Sequence, residues 1–422
     1  MTNGELRHFQ TRESLHMLRA MKLAAILAAF LALCHTAVFA AGKSAPIPLQ
    51  PDKVPALDHA QFVGAEKCAT CHQQYFDGWK TTTHSKMVQR PSDKTIVADF
   101  TADSPHHPAL ADVKWVVGSR WKQRFLVEVN GEEVVFPGQW SVKEKKWQPY
   151  TAKSDWWWAD HQDWKGRSNF QLCAGCHSTG LDLKTQKWAE LNISCESCHG
   201  AGKKHSETSA IADIVNPSRL TRQRSMDVCL ACHAAGKPHG EQKDYAWPVG
   251  YTPGDDLGKY WKAFAPEGKQ TPEFWPGGTA HKNRVQGNTF VQSVMHDNAL
   301  QCSNCHDMHN GQHTAMTVKS AATNALCLTC HGPGQAQKLA EPLLADHTHH
   351  AATSKGSICI ECHMAKTGEN SVAAEARNHT FNVVPPAETV KNGTTNSCNI
   401  CHKEQTTEWA LAKFAEWYPK KK

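Results

Sequence analysis

A five-residue pattern, C-x-x-C followed by His, recurs eight times along the chain and uses sixteen of its 17 cysteines. The copies begin at Cys68, Cys173, Cys195, Cys229, Cys302, Cys327, Cys359 and Cys398. Histidine supplies only 26 of the 422 residues, so chance would not place it after every cysteine pair. Disulfides and zinc ribbons also pair cysteines, but neither needs a histidine after every second one. The spacing therefore indicates a single chemistry repeated along the chain.

Covalent haem c accounts for all three residues that recur in every copy of the pattern, the two cysteines and the histidine. The two cysteines bond to the haem vinyl groups as thioethers, and the histidine binds the iron from the proximal side. The sequence therefore predicts eight covalently bound haem c groups. The predicted thioether residues are Cys68, Cys71, Cys173, Cys176, Cys195, Cys198, Cys229, Cys232, Cys302, Cys305, Cys327, Cys330, Cys359, Cys362, Cys398 and Cys401. The predicted proximal ligands are His72, His177, His199, His233, His306, His331, His363 and His402.

The sixth, distal ligands must come from elsewhere in the chain, and fifteen further histidines lie beyond residue 40. This surplus favours bis-histidine coordination, with Met308 and Met316 as alternative thioether ligands. An internal repeat, CESCHGAGKKH and CLACHAAGKPH, gives His205 and His239 the same spacing from a motif. Position relative to the motifs selects the distal candidates His84, His205, His239, His281, His296, His309, His350 and His379. His350 belongs to a cluster with His347 and His349, whereas His59, His106, His107, His161 and His313 are expected to be solvated or to bond haem propionates.

The first 40 residues have the features of a secretory signal peptide. An apolar run from Leu23 to Leu33 follows Arg19 and Lys22, and small residues surround a cleavage site after Ala40. The run is shorter than the ~17–25 residues that a membrane span requires. We therefore expect an exported protein without a transmembrane segment in the mature chain, periplasmic in the first instance, with the outer membrane or the cell exterior as alternatives.

Composition restricts how the mature chain can build a core and what it can bind. Hydrophobic residues make up 40% of the chain and the mean hydropathy is −0.54, which is low for a conventional core of this size. Porphyrin faces are expected to fill much of the interior. The formal net charge of +6 falls to +4 when the leader is removed, so nucleic acid is not an expected partner.

The spacing of the motifs predicts how the chain is organised. We expect a signal peptide at 1–40, a first haem segment at 41–240 with four motifs, and a second at 241–422 with the other four. The expected fold is mainly α and irregular, with a small β insertion near residues 113–150. Within the insertion, 125–129 and 132–136 flank Asn130-Gly131, a strong hairpin signal. Residues 406–418 have helical apolar spacing, and the Pro- and Gly-rich stretch 236–278 is expected to be mostly loop.

Four stretches resemble a known family. They are FVGAEKCATCHQQYFDGWKTTTHSKM, NFQLCAGCHSTGL with CESCHGAGKKH, HKNRVQGNTFVQSVMHDNALQCSNCHDMH, and RNHTFNVVPP with SCNICHKEQTTEWA. They are similar to exported multihaem c-type cytochromes of the cytochrome c-554-like, doubled-CxxCH group, and the likeness spans about residues 62–415. The resemblance implies haems stacked in parallel and perpendicular pairs. It also implies distal ligands at His84, His205, His281, His309, His350 and His379.

The expected function is electron transfer along mostly bis-histidine haems in respiratory or extracellular electron transfer. The resemblance implies redox protein partners: a quinol-oxidising complex on one side, and a terminal reductase or outer-membrane conduit on the other. An alternative is a multihaem oxidoreductase with one open-coordination haem acting on a small nitrogen or sulfur compound. The C-x-x-C-K motif of several enzymatic octahaem relatives is absent, which favours a carrier over a catalyst. A third alternative is a subunit of a larger assembly, with interfaces at 100–165 and 240–295; the sequence leaves oligomerisation open.

Overall fold

The structure, a computed structural model, describes residues 57–150, 161–166, 168–242, 244–335, 344–368 and 376–419. The predicted signal peptide and the tryptophans of 156–158 lie outside these residues. Three α-helices exceed two turns: Ala65–Lys80, Arg222–His233 and Thr407–Trp417. The shorter helices are Asn169–Leu172, Ala174–His177, Cys195–His199, Lys203–Thr208, Gln286–Phe290, Val294–Asp297, Leu328–His331, Leu344–Thr348, Cys359–His363 and Pro386–Asn392. None of the helices in the described ranges is long and apolar enough to cross a membrane.

The largest sheet has five antiparallel strands in sequence order. They are β1 Val88–Gln89, β2 Val113–Val117, β3 Lys122–Val129, β4 Glu132–Ser141 and β5 Lys146–Pro149. The predicted hairpin lies at its centre, where β3 and β4 pair next to the turn. Asn130 and Gly131 have φ angles of 52° and 82°, the two positive values that a type I′ turn requires. The hairpin is therefore confirmed, and the sheet begins earlier than the predicted insertion, at residue 88.

Two further sheets follow along the chain, one between the second and third motifs and the other after the fourth motif. Strands β6 Ser178–Asp182 and β7 Lys187–Leu191 form one, and β8 Gly236–Pro238 and β9 Trp261–Ala263 form the other. These antiparallel pairs hold the segments between motifs in place with backbone hydrogen bonds. The described chain is therefore mixed α and β rather than mainly α and irregular. Antiparallel strands form outside the predicted β insertion, including within 236–278, which was expected to be mostly loop.

The apolar core of the described chain is divided into six separate clusters. The first contains Met226, Leu230 and Phe290, and both Cys232 and Cys302 pack against its edge. Other motif cysteines lie at the edges of further clusters: Cys173, Cys176 and Cys195. Thiols at cluster edges are placed to attach a large apolar group that extends each small core.

Contacts cross residue 240, where the two haem segments were predicted to meet. The indole N–H of Trp247 donates to the carbonyl of Phe170 at 2.9 Å. The amide of Asn288 bonds to both the N–H and the C=O of Ala235. The division into two haem segments stays a prediction, and these bonds indicate that the segments pack together.

The long helix at Thr407–Trp417 confirms the helix predicted at the C-terminal end. Thr406 caps it by accepting a hydrogen bond from the N–H of Trp409 at 3.2 Å. At its other end, the indole of Trp417 stacks on His349, with ring centres 5.0 Å apart. The helix thus packs against the histidine cluster that precedes the seventh motif.

A buried carboxylate within the third motif anchors the helix that carries the first motif. Glu196 is 3% exposed and accepts hydrogen bonds from the N–H groups of Val63 and Gly64, just before the helix Ala65–Lys80 begins. It also accepts from the N–H of Gly202 at 2.7 Å. A carboxylate suits this position because it satisfies free N–H groups at the positive end of a helix dipole.

Replacing Glu196 by alanine is expected to lower the free energy of unfolding by about 2 kcal/mol, because it leaves buried N–H groups without an acceptor. Denaturant unfolding of the holoprotein would measure the change. Glu207 provides a matched control, since its ion pair with Lys203 lies at the surface. Glu207→Ala should change stability by less than ~0.5 kcal/mol. Equal effects of the two substitutions would contradict the anchoring role of Glu196.

Candidate haem-binding sites

Each motif begins on a helical or turn segment, which explains how its three functional side chains come together. In four motifs the N–H of the histidine donates to the carbonyl of the first cysteine at 2.9–3.1 Å: His177, His306, His331 and His402. Residues three and four apart on a helical turn share one face. Both thiols and the imidazole therefore project to the same side, as attachment to one haem requires.

Six motif histidines in the described chain lie opposite a second histidine ring. The ring-centre separations fall between 6.1 and 6.5 Å: His72 with His205, His233 with His84, His199 with His309, His306 with His379, His363 with His347, and His402 with His350. Every pair joins one motif histidine to one histidine from outside a motif. A repeated arrangement of this kind indicates that the same kind of group binds between the two rings of each pair.

The separations match the width of an iron with two imidazole ligands. Two imidazole–metal bonds of about 2 Å, with ~1.1 Å from each nitrogen to its ring centre, set the ring centres ~6.2 Å apart. The two closest pairs are at 6.1 Å and the widest, His306 with His379, is at 6.5 Å. The residues present therefore fit haem with bis-histidine coordination.

Backbone carbonyls fix the orientation of these rings. The Nδ1 atom of His199 lies 2.8 Å from the carbonyl of Val215, and five others are held in the same way at 2.6–3.0 Å: His205, His306, His350, His363 and His379. A hydrogen bond from Nδ1–H leaves the lone pair on Nε2 available, which is the tautomer that binds a metal through Nε2. The described backbone thus orients at least one ring in five of the six pairs, and both rings in the pair of His306 with His379.

Burial keeps two of the rings that face a motif histidine, His84 and His379, in their neutral form. Burial, together with the positive charge of His306, lowers the pKa of His84 to about 4. Burial also lowers the pKa of His379 to about 4, although its bond to the Arg377 carbonyl acts in the opposite direction. Both imidazoles are therefore neutral at pH 7, and only neutral imidazole can bind iron.

The structure places five of the eight distal candidates opposite a motif histidine: His84, His205, His309, His350 and His379. The six pairs do not include the other three. His239 is exposed next to β8, His281 lies against Trp275 with its Nδ1 near the carbonyl of Thr271, and His296 packs on Phe290. The ligand roles of all eight stay predictions.

Sequence reasoning did not select His347, which the structure places opposite His363 with the two rings nearly parallel. His347 lies in the last turn of the short helix Leu344–Thr348, and His349 then adopts a left-handed φ of 54° that turns the chain. This turn directs His350 to a different motif, opposite His402. The signal was present in the sequence, because a cluster of three histidines precedes the last two motifs.

His107 has both ring nitrogens committed to the backbone. Nδ1 lies 2.8 Å from the carbonyl of Pro108, and Nε2 lies 3.2 Å from that of Ala102. Binding iron would require breaking one of these contacts. This is consistent with the expectation that His107 is not a ligand.

His177, in the second motif, has different surroundings. Its Nδ1 is buried and has no hydrogen-bond partner among the described residues. Burial, reinforced by the positive charges of Arg124 and Arg284, lowers the pKa of His177 to about 4. The Arg124 guanidinium lies over the ring of Tyr150, 3.7 Å from its centre, and no carboxylate in the described chain pairs with it. The second motif therefore lies in a positively charged setting beside the five-stranded sheet.

Comparisons with known proteins find cytochromes. The family described as cytochrome c554 and c-prime matches residues 67–107 and 139–200, and the doubled CXXCH motif family matches 296–336. Among solved structures, the outer cell wall cytochrome OcwA aligns with a TM-score of 0.66 and 20% identity over 85% of this chain and 87% of that one. The undecahaem cytochrome from the S-layer of Carboxydothermus ferrireducens aligns with a TM-score of 0.48 and 17% identity, over 86% of this chain and 61% of that one. No curated protein matches the chain.

The repeated motifs and the shared fold define a cytochrome of the c type, in which CxxCH motifs bind haem covalently. This chain is a multihaem c-type cytochrome, so the resemblance inferred from its sequence is confirmed.

Proposed function

We propose that the chain is an exported octahaem cytochrome that transfers electrons along a series of bis-histidine haems in respiratory or extracellular electron transfer. Bound haem supplies the one-electron carrier. The observation that supports the proposal most strongly is the set of six facing histidine pairs, each with room for one iron. With two protein ligands on the iron, such a site carries electrons without offering a position for substrate.

The residues around the pairs suit electron transfer because they resist rearrangement. Carbonyls hold Nδ1 of both His306 and His379, which face each other. Rings held in this way keep their positions when the charge on the site changes, so the reorganisation energy stays small. Imidazole in place of methionine as the sixth ligand also favours a low potential.

Partners would reach the haems where the motifs approach the surface. Three motif cysteines are exposed: Cys71, Cys330 and Cys401, in the first, sixth and eighth motifs. We expect a quinol-oxidising complex to dock at one such site, and a terminal reductase or outer-membrane conduit at another. Export is supported by the predicted signal peptide, and OcwA, which shares the fold, is named as an outer cell wall cytochrome.

Counting electrons tests the proposal. The purified holoprotein should take up eight electrons per chain in a reductive titration and release all eight to a soluble oxidant. Its ferric EPR spectrum should be dominated by low-spin signals from bis-histidine haems. Haems that cannot be reoxidised, or a spectrum dominated by high-spin iron, would contradict an electron-carrier role.

A second candidate function, an oxidoreductase with one open iron position, is favoured by a specific observation at the second motif. The six facing pairs do not include His177, and two arginines act on it. Arg124 is half-buried, donates from Nε to Gln139 at 3.3 Å, and has no acidic partner in the described chain. A guanidinium in such a position can bind a small anion, such as an oxyanion of nitrogen or sulfur.

Nitrite binding tests the second candidate. A minor high-spin ferric signal should be present in the native protein and should convert to low spin on addition of nitrite. Arg124→Ala should weaken nitrite binding about tenfold, equivalent to about 1.4 kcal/mol. Arg120→Ala is the control, because Arg120 is exposed and bonds to Thr314 at the surface. A native protein with only low-spin iron would reject this candidate.

A further inference from the structure

Cysteines of different motifs lie near one another in pairs, which indicates which motifs are neighbours. The four pairs are Cys68 with Cys195, Cys176 with Cys232, Cys229 with Cys302, and Cys327 with Cys359. They join the first motif to the third, the second to the fourth, the fourth to the fifth, and the sixth to the seventh. Because each of these cysteines is a predicted haem attachment point, two haems bound at such a pair would be neighbours.

Backbone contacts join the later motifs independently. The N–H of Cys359, in the seventh motif, donates to Asn324, just before the sixth, at 2.8 Å. The Ser397 hydroxyl, just before the eighth motif, donates to the carbonyl of Cys362 in the seventh at 3.0 Å. The N–H of Val318 donates to the carbonyl of Cys305 in the fifth motif at 2.9 Å, and the N–H of Leu326, just before the sixth, donates to the carbonyl of Ser320 at 3.1 Å. Motifs five to eight therefore follow one another in space as they do in sequence.

The fourth motif has more neighbours than this linear order provides. Toward the second motif, Sγ of Cys176 lies 3.9 Å from the carbonyl of Ala231, and Arg284 reaches both the carbonyl of Cys232 at 3.1 Å and Cys176 Sγ at 3.8 Å. Toward the fifth, Cys302 packs against the same apolar cluster as Cys232. Two of its neighbours are thus fixed by packing and hydrogen bonds.

The third motif is the remaining neighbour. Tyr251 packs against the same apolar cluster as Cys232, and Cys198 of the third motif lies near its side chain together with Cys229 and Cys232. The distal histidine opposite His233 is also held beside the third motif. The carbonyl of His84 accepts a hydrogen bond from the N–H of Ile193, two residues before Cys195.

We infer that the fourth motif is a three-way junction in the electron route, in contact with the second, third and fifth motifs. The through-route then runs from the first motif to the third, fourth and fifth and on to the eighth, and the second motif joins it at the fourth. This inference rests on the proposed electron-transfer function. Electrons exchanged with the second motif reach the rest of the chain through the site formed by His233 and His84.

Changing one ligand and counting the haems that respond tests the junction. In His84→Met, the thioether raises the potential of the fourth haem, so that it takes the first electron. Each adjacent haem should then titrate at a lower potential, because a neighbouring site has gained negative charge. EPR-monitored redox titration should show three of the remaining signals shifted. His350→Met is the control at the eighth motif, and it should shift one.

A second variant covers the case in which methionine does not bind. His84→Gly and His350→Gly are titrated with and without added imidazole, which restores the missing ligand in a folded protein. Imidazole should change the potentials of three neighbours at the fourth motif and one at the eighth. Equal numbers at the two sites would overturn the junction while reversible reduction of the native protein still supported electron transfer. A native protein that is not reversibly reduced would instead contradict the proposed function itself.

Discussion

The chain produced without haem attachment is expected to have no cooperative unfolding transition, whereas the holoprotein should unfold cooperatively. The buried apolar residues of the described chain form six separate clusters, and motif cysteines lie at the edges of four of them. Ordering a backbone costs roughly 1–2 kcal/mol per residue, which small separate clusters cannot offset. Cofactors that join the clusters would supply the missing apolar contacts. Folding would then depend on haem, as the folding of small metal-binding domains depends on their metal.

Circular dichroism and thermal unfolding of protein made without haem attachment would measure this effect. Variants lacking one motif provide graded controls. Loss of both thiols at the eighth motif, where Cys401 is exposed, should leave a cooperative transition at reduced temperature. Loss of Cys229 and Cys232, of which Cys232 packs against the largest cluster of the described chain, should abolish the cooperative transition. An apo chain that unfolds with a native-like cooperative transition would show that protein side chains alone build the core.

His205→Ala is expected to convert one haem from low-spin to high-spin iron. The ring of His205 lies 6.3 Å from that of His72 and nearly parallel to it, and its Nδ1 is held by the carbonyl of Ala210 at 2.9 Å. Alanine removes the sixth ligand of the first haem without touching its thioethers. Since bis-histidine coordination leaves no open position, the variant should also gain the ability to bind cyanide or carbon monoxide at one iron.

The internal repeat supplies a matched control for this experiment. His239 has the same spacing from its motif as His205, but it is exposed and the six facing pairs do not include it. His239→Ala should leave the ferric EPR spectrum unchanged. If His239→Ala produced the high-spin signal and His205→Ala did not, the pairing of His72 with His205 would be wrong.

Features encoded over a few residues were predictable from the sequence. The hairpin at β3 and β4 depends on Asn130-Gly131, two residues that tolerate positive φ, and the structure has it where the pattern placed it. The helix Thr407–Trp417 is likewise set by local apolar spacing and a threonine cap. Each motif also carries its own geometry, because one helical turn gathers its three functional side chains.

Features that depend on distant segments were not predictable in the same way. His84 follows the first motif but faces His233 of the fourth, and His309 follows the fifth but faces His199 of the third. Such cross-pairing depends on how segments pack, which residue spacing does not encode. The choice between His347 and His350 also depended on one left-handed residue, His349. The strands β8 and β9 were missed because they pair across a Gly- and Pro-rich stretch.

The intact mass of the purified, denatured protein tests the central claim most directly, because thioether-linked haem remains attached when the chain unfolds. We predict the mass of residues 41–422 plus eight haem groups, with no free thiol left to alkylate. A mass corresponding to seven or fewer haems, accompanied by alkylated cysteines, would show that at least one CxxCH motif does not bind the cofactor.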